Sequence, residues 1–442
     1  MTTTLFELPS PEVPRGQSAL KPEPRVQRPN REQVELRPVD LEALLPADHR
    51  ARVVWEFVEG LDLAPLYGAI KAVEGHAGRP PIDPAILMAL WLYATVEGVG
   101  SARALARLCQ AHEAYRWLCG GVSVNSHRLA DFRVQPVEEL DRLLTTSVAT
   151  LMAEGLVSLT RVAQDGGRVR ASAGAASLRR QARLEGFVAE AAAQIEALRQ
   201  ELHDEPGATT RRPAAARPRA AAERQQRVAQ ALAHVPEIAA KKPAAEAEKA
   251  RASTTDPEAR VMKMADGGFR PAFNGQFAAA TASQVIVGVD LTNVGSDRGQ
   301  LAPMIEQLPQ RYDQGPAQVL VDGGFATHED ILAVEQPAVG CTVYAPVPKP
   351  RNGAARDPYQ PRPGGAEGIG QWRARMGTEA AQRIYRERAA TAECVNAIAR
   401  NRGLQQFRVR GRQKVRAVLL WFALAHNLMR AVALRQAVAA PV

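Results

Sequence analysis

The feature that most constrains this chain is an interruption. A β-branched run, Leu156 to Gln164, leads into Asp165-Gly166-Gly167, and similar runs resume at Gln284 to Leu291, Gln318 to Val321 and Thr342 to Pro346. Between them, from about Leu178 to Lys249, Ala, Arg, Glu and Gln dominate, and Leu184, Val188, Ala191, Ile195, Leu198 and Leu202 follow a heptad-like spacing. A sheet cannot run through such a segment. It reads as a protruding helical hairpin inserted into the α/β domain, with Pro213 and Pro218 interrupting it before a second helical stretch carrying Val228, Leu232 and Val235. A partly disordered, low-complexity insert is the alternative. Helical patterns at Gln300 to Leu308 and His328 to Val334 lie between the later strands, so the fold class is α/β, split by the insertion.

A chain of 442 residues exceeds one ordinary core and calls for two or three domains. Residues 1–35 are Pro-rich and polar and read as a flexible lead-in. Residues 36–154 read as an α-helical N-terminal domain. Asp83-Pro84 opens one helix through Ile86, Leu87, Leu90 and Trp91, and Ser101 opens the next. Short helices separated by Gly98-Val99-Gly100 and Gly120-Gly121 suit either a DNA-binding helix-turn-helix or a structural bundle. Residues 155–177 and 251–400 form the α/β core, 178–250 the insertion, and 401–442 a basic C-terminal helical segment. The formal charge of +9 and pI near 9.6 favour a polyanionic partner. Seven basic residues and no acid lie between Arg400 and Arg416. Four cysteines without a C-x-x-C pair point away from a disulfide framework or zinc site. With no secretory pattern and no long uninterrupted apolar run, the expected location is the cytoplasm, without a membrane partner.

Aspartates precede Gly-Gly at 165, 266 and 322, and only Asp165 and Asp322 come directly off strand-like runs. Such residues often make only tight turns. Two rigidly held aspartates plus a third acid also suit phosphodiester chemistry, in which carboxylates bridge two Mg2+ or Mn2+ ions about 3.5 to 4 Å apart. Neither a G-x-S-x-G motif nor a phosphate-binding loop competes with that reading. The third acid belongs on a late helix, and Glu393 lies in a segment from Thr378 to Arg400 without Pro or Gly. Arg386, Glu393 and Arg400 are seven apart and should share one face, as a phosphate grip or as a solvated ion-pair face. The apolar stripe of Ile384, Val395 and Ile398 lies nearly opposite Glu393.

These residues resemble those of bacterial insertion-sequence transposases of the DDE type, in the branch with a helical N-terminal domain and a late Tyr-Arg-Glu-Lys signature. The similarity runs from about Leu36 to Arg430. It rests on Gly78-Arg79-Pro80-Pro81, Leu87 to Gly100, Ser101-Ala102-Arg103, Tyr115-Arg116-Trp117-Leu118 and Asp131-Phe132-Arg133 in the first part. It continues through Gln164 to Ala171, Thr255 to Arg260, Phe273-Asn274-Gly275-Gln276 and Val321 to Phe325. Tyr385, Arg388, Glu393 and Arg400 follow the late signature, with Asn401 to Leu404, Arg408 to Arg416 and Ala425 to Leu428 after it.

The resemblance implies an RNase H-like catalytic core in which Asp165, Asp322 and Glu393 are both catalytic residues and ligands of two Mg2+ ions. It also implies cleavage and strand transfer at terminal inverted repeats, with double-stranded DNA as partner, a homodimer on paired ends, and residence at the nucleoid. Tyr385 and Arg388 would contact the DNA backbone near the cut, and Arg400, Arg402, Arg408, Arg410 and Arg412 would add phosphate contacts. Departures are Arg400 in place of a lysine, Gly167 in place of a polar residue, and Asn396-Ala397 in place of an aromatic and a glycine. A non-catalytic descendant that binds element ends as a repressor, and a simple hydrolytic nuclease, are the rival readings. His426, Trp91 and Trp117 are expected to be packing residues.

Overall fold

The computed structural model describes residue 32 and residues 40–72, 80–204, 211–349 and 357–439. The expected lead-in apart from residue 32, and Leu36, Gly78 and Arg79 of the resemblance, lie outside the described residues. Seven helices open the described chain: α1 (Arg50–Glu59), α2 (Ala64–Gly68), α3 (Pro84–Val96), α4 (Ala102–Ala111), α5 (Glu113–Cys119), α6 (Ser126–Phe132) and α7 (Val137–Ala153). The caps are those the sequence suggests. Asp83 accepts from the Ala85 N–H with Pro84 in the first turn of α3, and Ser101 accepts from the Ala104 N–H to start α4. Nearly every side chain of α3 is buried, so this helix is the centre of the bundle.

The central sheet contains β1 (Arg161–Arg170), β4 (Arg260–Lys263), β5 (Phe269–Ala280), β6 (Ile286–Thr292), β7 (Gln318–Leu320) and β8 (Thr342–Tyr344). Strands β6, β5 and β1 are antiparallel neighbours, and β7 and β8 continue the sheet parallel to β1. Short β4 pairs with the start of β5. Helices cover both faces. Met304 of α10 (Leu301–Tyr312) packs over Gly288, and Leu419 of α15 (Arg412–Ala439) packs over Gly275 on the opposite face. Helix α11 (His328–Glu335) lies between β7 and β8 in the chain, and α12 (Glu367–Met376) packs against it.

Two expectations about the sheet are corrected. Strand β1 does not stop at Asp165; it continues through Gly166 and Gly167 to Arg170, because β5 pairs with it from Val162 to Arg170. The twelve-residue β5 itself was not anticipated. Its sequence, with Pro271, Gly275 and three terminal alanines, has weak strand propensity, and ten of its residues are buried so no alternation shows.

The insertion folds as two long helices, α8 (Gln181–Asp204) and α9 (Arg211–Ala240), that pack on each other. A separate small core of Leu184, Val228, Ala231 and Val235 holds them, joined at its base by β2 (Leu178–Arg179) and β3 (Ala252–Ser253). Pro218 does not end a helix as expected, since α9 runs through it and through Pro236.

The C-terminal segment is not an appendage. Helix α15 is long and apolar enough to cross a membrane by composition, yet it is two-thirds buried, packed against α3, α7 and β6. One continuous core therefore joins the helical bundle, the sheet and α15. His426 sits in it at 5% exposure, and its Nε2 lies 2.8 Å from the Gln284 carbonyl oxygen. Burial pushes its pKa down to about 4.

Candidate active site

Asp165 lies within β1, opposite Phe277 of β5, with its side chain 18% exposed. Asp322 lies two residues beyond the end of β7, and the parallel pairing of Ala163 with Leu320 brings the two aspartates to the same level of the sheet. The Asp322 carboxylate accepts from the Gly324 N–H at 2.7 Å, a local turn that fixes its direction. Glu393 arrives from the far end of the chain. The segment expected to be one helix from 378 to 400 is instead α13 (Glu379–Arg388), a π turn (Ala389–Glu393) and α14 (Cys394–Asn401).

The π turn changes which side chains share a face. In a regular α-helix residues five apart point roughly 140° from one another, whereas an i to i+5 turn stacks them. Arg388 and Glu393 are five apart, and Arg388 Nη1 donates to Glu393 Oε1 at 2.8 Å. The expected face of Arg386, Glu393 and Arg400 is thus corrected to one that pairs Arg388 with Glu393; Arg386 and Arg400 are exposed. Small residues, Ala389, Ala390, Thr391 and Ala392, form the turn, and Gln284 Nε2 donates to the Ala390 carbonyl at 2.7 Å.

Arg388 is the hub of the site. It is 8% exposed, and its Nη2 lies 3.2 Å from Asp165 Oδ1 and 3.9 Å from Asp322 Oδ2. Three carboxylates from three distant parts of the chain thus bracket one guanidinium. Arg388 was expected at the DNA backbone; it is turned inward to the acids. Burial pushes the Asp165 carboxyl above its ordinary range, with Arg388 and Asn396 pulling down and Asp322 pushing up. Tyr385 is half-buried beside the same group, and burial raises its phenol while Arg388 opposes that shift.

Two further side chains bear on the site. Asn396, a departure from the resemblance, donates from Nδ2 to Asp165 Oδ2 at 3.0 Å. Its position three residues after Glu393 on a helix facing β1 was the only available signal. Asp297 accepts from Asn274 Nδ2 and Gln276 Nε2, both at 2.8 Å, behind Gly166. A Cβ on Gly166 would fall 2.2 Å from Asp297 Oδ1 and 2.4 Å from Gln276 Nε2, so only glycine leaves room for this polar cluster.

The donor chemistry fits hard divalent cations: all three side chains are carboxylates, and three acids face one arginine. As placed, no three acidic or imidazole groups among the described residues share one ion, since Arg388 occupies their midst. Beside Asn396 opens a groove of about 280 Å3, lined by Arg168, Arg170, Arg270 and Arg400. Of the other expected phosphate contacts, Arg408 and Arg410 are exposed and Arg402 is half-buried. Arg412 is also exposed; its backbone N–H donates to Glu258 and its Nη2 to the Leu291 carbonyl. A larger cleft, about 720 Å3, lies elsewhere, where Arg311 of α10 and Arg416 of α15 share Asp141 of α7.

Two family models match the sequence. Residues 39–135 match a transposase domain (DUF772), and residues 366–432 match a transposase DDE domain. No curated protein and no solved structure matches the chain.

Proposed function

We propose, from the premise that this chain is an insertion-sequence transposase of the DDE type, that Asp165, Asp322 and Glu393 form a site for cleaving and joining DNA strands at the element's terminal inverted repeats. DNA is the partner of such proteins, and the family is generally dependent on divalent metal ions. The sheet order, three antiparallel strands continued by two parallel ones, supports an RNase H-like core. The observation that carries the reading is the convergence of the three carboxylates on Arg388.

Two Mg2+ or Mn2+ ions on these acids would supply Lewis-acid activation of an oxygen nucleophile and stabilise the leaving oxygen. The protein's own groups do the rest. The long β1–β5 pairing holds Asp165 rigidly, and Asn396 fixes the rotation of its carboxylate. Arg388 balances part of the acids' mutual repulsion, which keeps them together. Arg168, Arg170, Arg270 and Arg400 offer a basic track for a strand entering the site. The helical N-terminal domain, residues 36–154, would bind element ends, and a homodimer would pair two of them in the cytoplasm at the nucleoid. The hairpin at 178–250 has its own small core.

Purified protein incubated with labelled element ends and Mg2+ tests the proposal. Cutting and joining by the wild type, with cutting lost and binding retained in Asp322→Ala, is the expected result. A wild type that binds ends but never cuts them with Mg2+ or Mn2+ would leave a repressor. Nicking without joining would leave a nuclease.

A further inference from the structure

A recess of about 70 Å3 lies where the loop from α3 to α4 meets the loop from α14 to α15. The two loops touch through glycines with positive φ, Gly98 (+74°) and Gly403 (+90°), and a Cβ on Gly403 would fall 3.3 Å from the Gly98 carbonyl oxygen. Arg133, which caps α6, reaches into this junction. It is 8% exposed, its Nη1 donates to the Gly100 carbonyl at 2.7 Å, and its guanidinium lies 4.9 Å over the Trp91 ring. Trp421 of α15 donates to the Arg133 carbonyl at 2.9 Å and pins the backbone beneath. From the other side, Arg408 Nε comes within 3.5 Å of where a Cβ on Gly100 would be. Arg402 lines the same recess.

What sets this cluster apart is its charge. Among the described residues no carboxylate forms an ion pair with Arg133, Arg402 or Arg408. The acid that Arg402 senses, Glu97, is held by Arg50 at 2.7 Å. Burial, helped by Arg408, pushes the Arg133 pKa down to about 10, so the group still carries its charge at neutral pH. A buried charge without a counter-charge is costly, and a position needed only for packing would be served better by an apolar side chain. The recess, about 70 Å3, has room for one tetrahedral oxyanion.

We propose that this recess is a socket for a single backbone phosphate of bound DNA, with Arg133 as its floor and Arg408 closing it. A phosphate there would be gripped at once by the helical domain and by the segment that follows Glu393, tying end recognition to the catalytic half. The inference rests on DNA being the partner, but its first test does not depend on cleavage.

Thermal unfolding of the full chain is followed in inorganic phosphate and in chloride at matched ionic strength. Wild type melts higher in phosphate, by the linkage between anion binding and stability. Arg133→Gln loses that increment, and so does Arg408→Gln, which changes an exposed side chain and keeps the buried packing. With duplex DNA, each variant's dependence of log affinity on log salt becomes shallower by about 0.9, one phosphate contact. Equal melting in the two anions for wild type would overturn the socket. A phosphate increment with unchanged DNA salt slopes in both variants would also overturn the proposal, because the site would then serve a free phosphate compound and not a strand.

Discussion

Arg388 and Arg133 are buried to the same degree, each 8% exposed, in opposite company. Arg388 faces three carboxylates; Arg133 faces Arg408, a carbonyl and an indole ring. The first region carries an excess of negative charge and the second an excess of positive charge. A fold that needed either arginine only for packing would have balanced it one to one. The imbalance matches the sign of what each region is proposed to bind: cations among the acids, an anion in the recess.

Arg388→Met attacks the comparison hardest. It leaves Asp165 buried with no cation beside it and should destabilise the chain by about 3 kcal/mol, the low end for a broken buried pair because Asp322 and Glu393 are 42% and 57% exposed. Mg2+ should restore part of the loss, read as a rise in melting temperature. Equal stability of variant and wild type would mean that Arg388 is not what holds the acids together.

His426 shows what a third buried basic group does when it can shed its proton. Its folded pKa of about 4 lies below the ordinary 6.5, so the unfolded chain binds the extra proton between those values. The associated stability is complete above pH 6.5 and is lost as pH falls toward 4, about 3 kcal/mol in all. Asp256, raised to about 6 by burial, works in the opposite sense over a similar range. The clean observable is the difference: His426→Gln should flatten the acid limb of urea-unfolding stability relative to wild type. Arginine has no such escape, which is why Arg133 stays charged.

Asn396→Ala removes the hydrogen bond to Asp165 and should slow cleavage about 10- to 100-fold with DNA binding unchanged. An unaffected rate would assign Asn396 to packing alone. Smallest is the Arg133→Met effect on the DNA-free protein: melting should stay level or rise, the reverse of Arg388→Met. A drop of several degrees would erase the contrast between the two arginines.

Much of this architecture can be read from the sequence, and the exceptions have physical causes. The capped starts of α3 and α4, the strands β6, β7 and β8, and the helical insertion all leave periodic or capping signals. Strand β5 leaves none because both its faces are buried and its residues are small. The π turn is invisible to a 3.6-residue period, and it is what turns Glu393 toward Arg388 and away from the frame of Arg386 and Arg400. Asn396 stood out only as a departure, and Arg133 only as part of a motif, because a contact across 231 residues or a missing counter-charge has no local signature.

The central claim, that three acids form one cation site, is tested most directly by Mn2+ titration of the full chain, followed by the electron paramagnetic resonance of the free ion. Asp165→Asn, Asp322→Asn and Glu393→Gln should each weaken binding, by roughly tenfold or more. Wild-type binding retained in Glu393→Gln while the two aspartate variants lose it would contradict the account, since Glu393 would then stand outside the site.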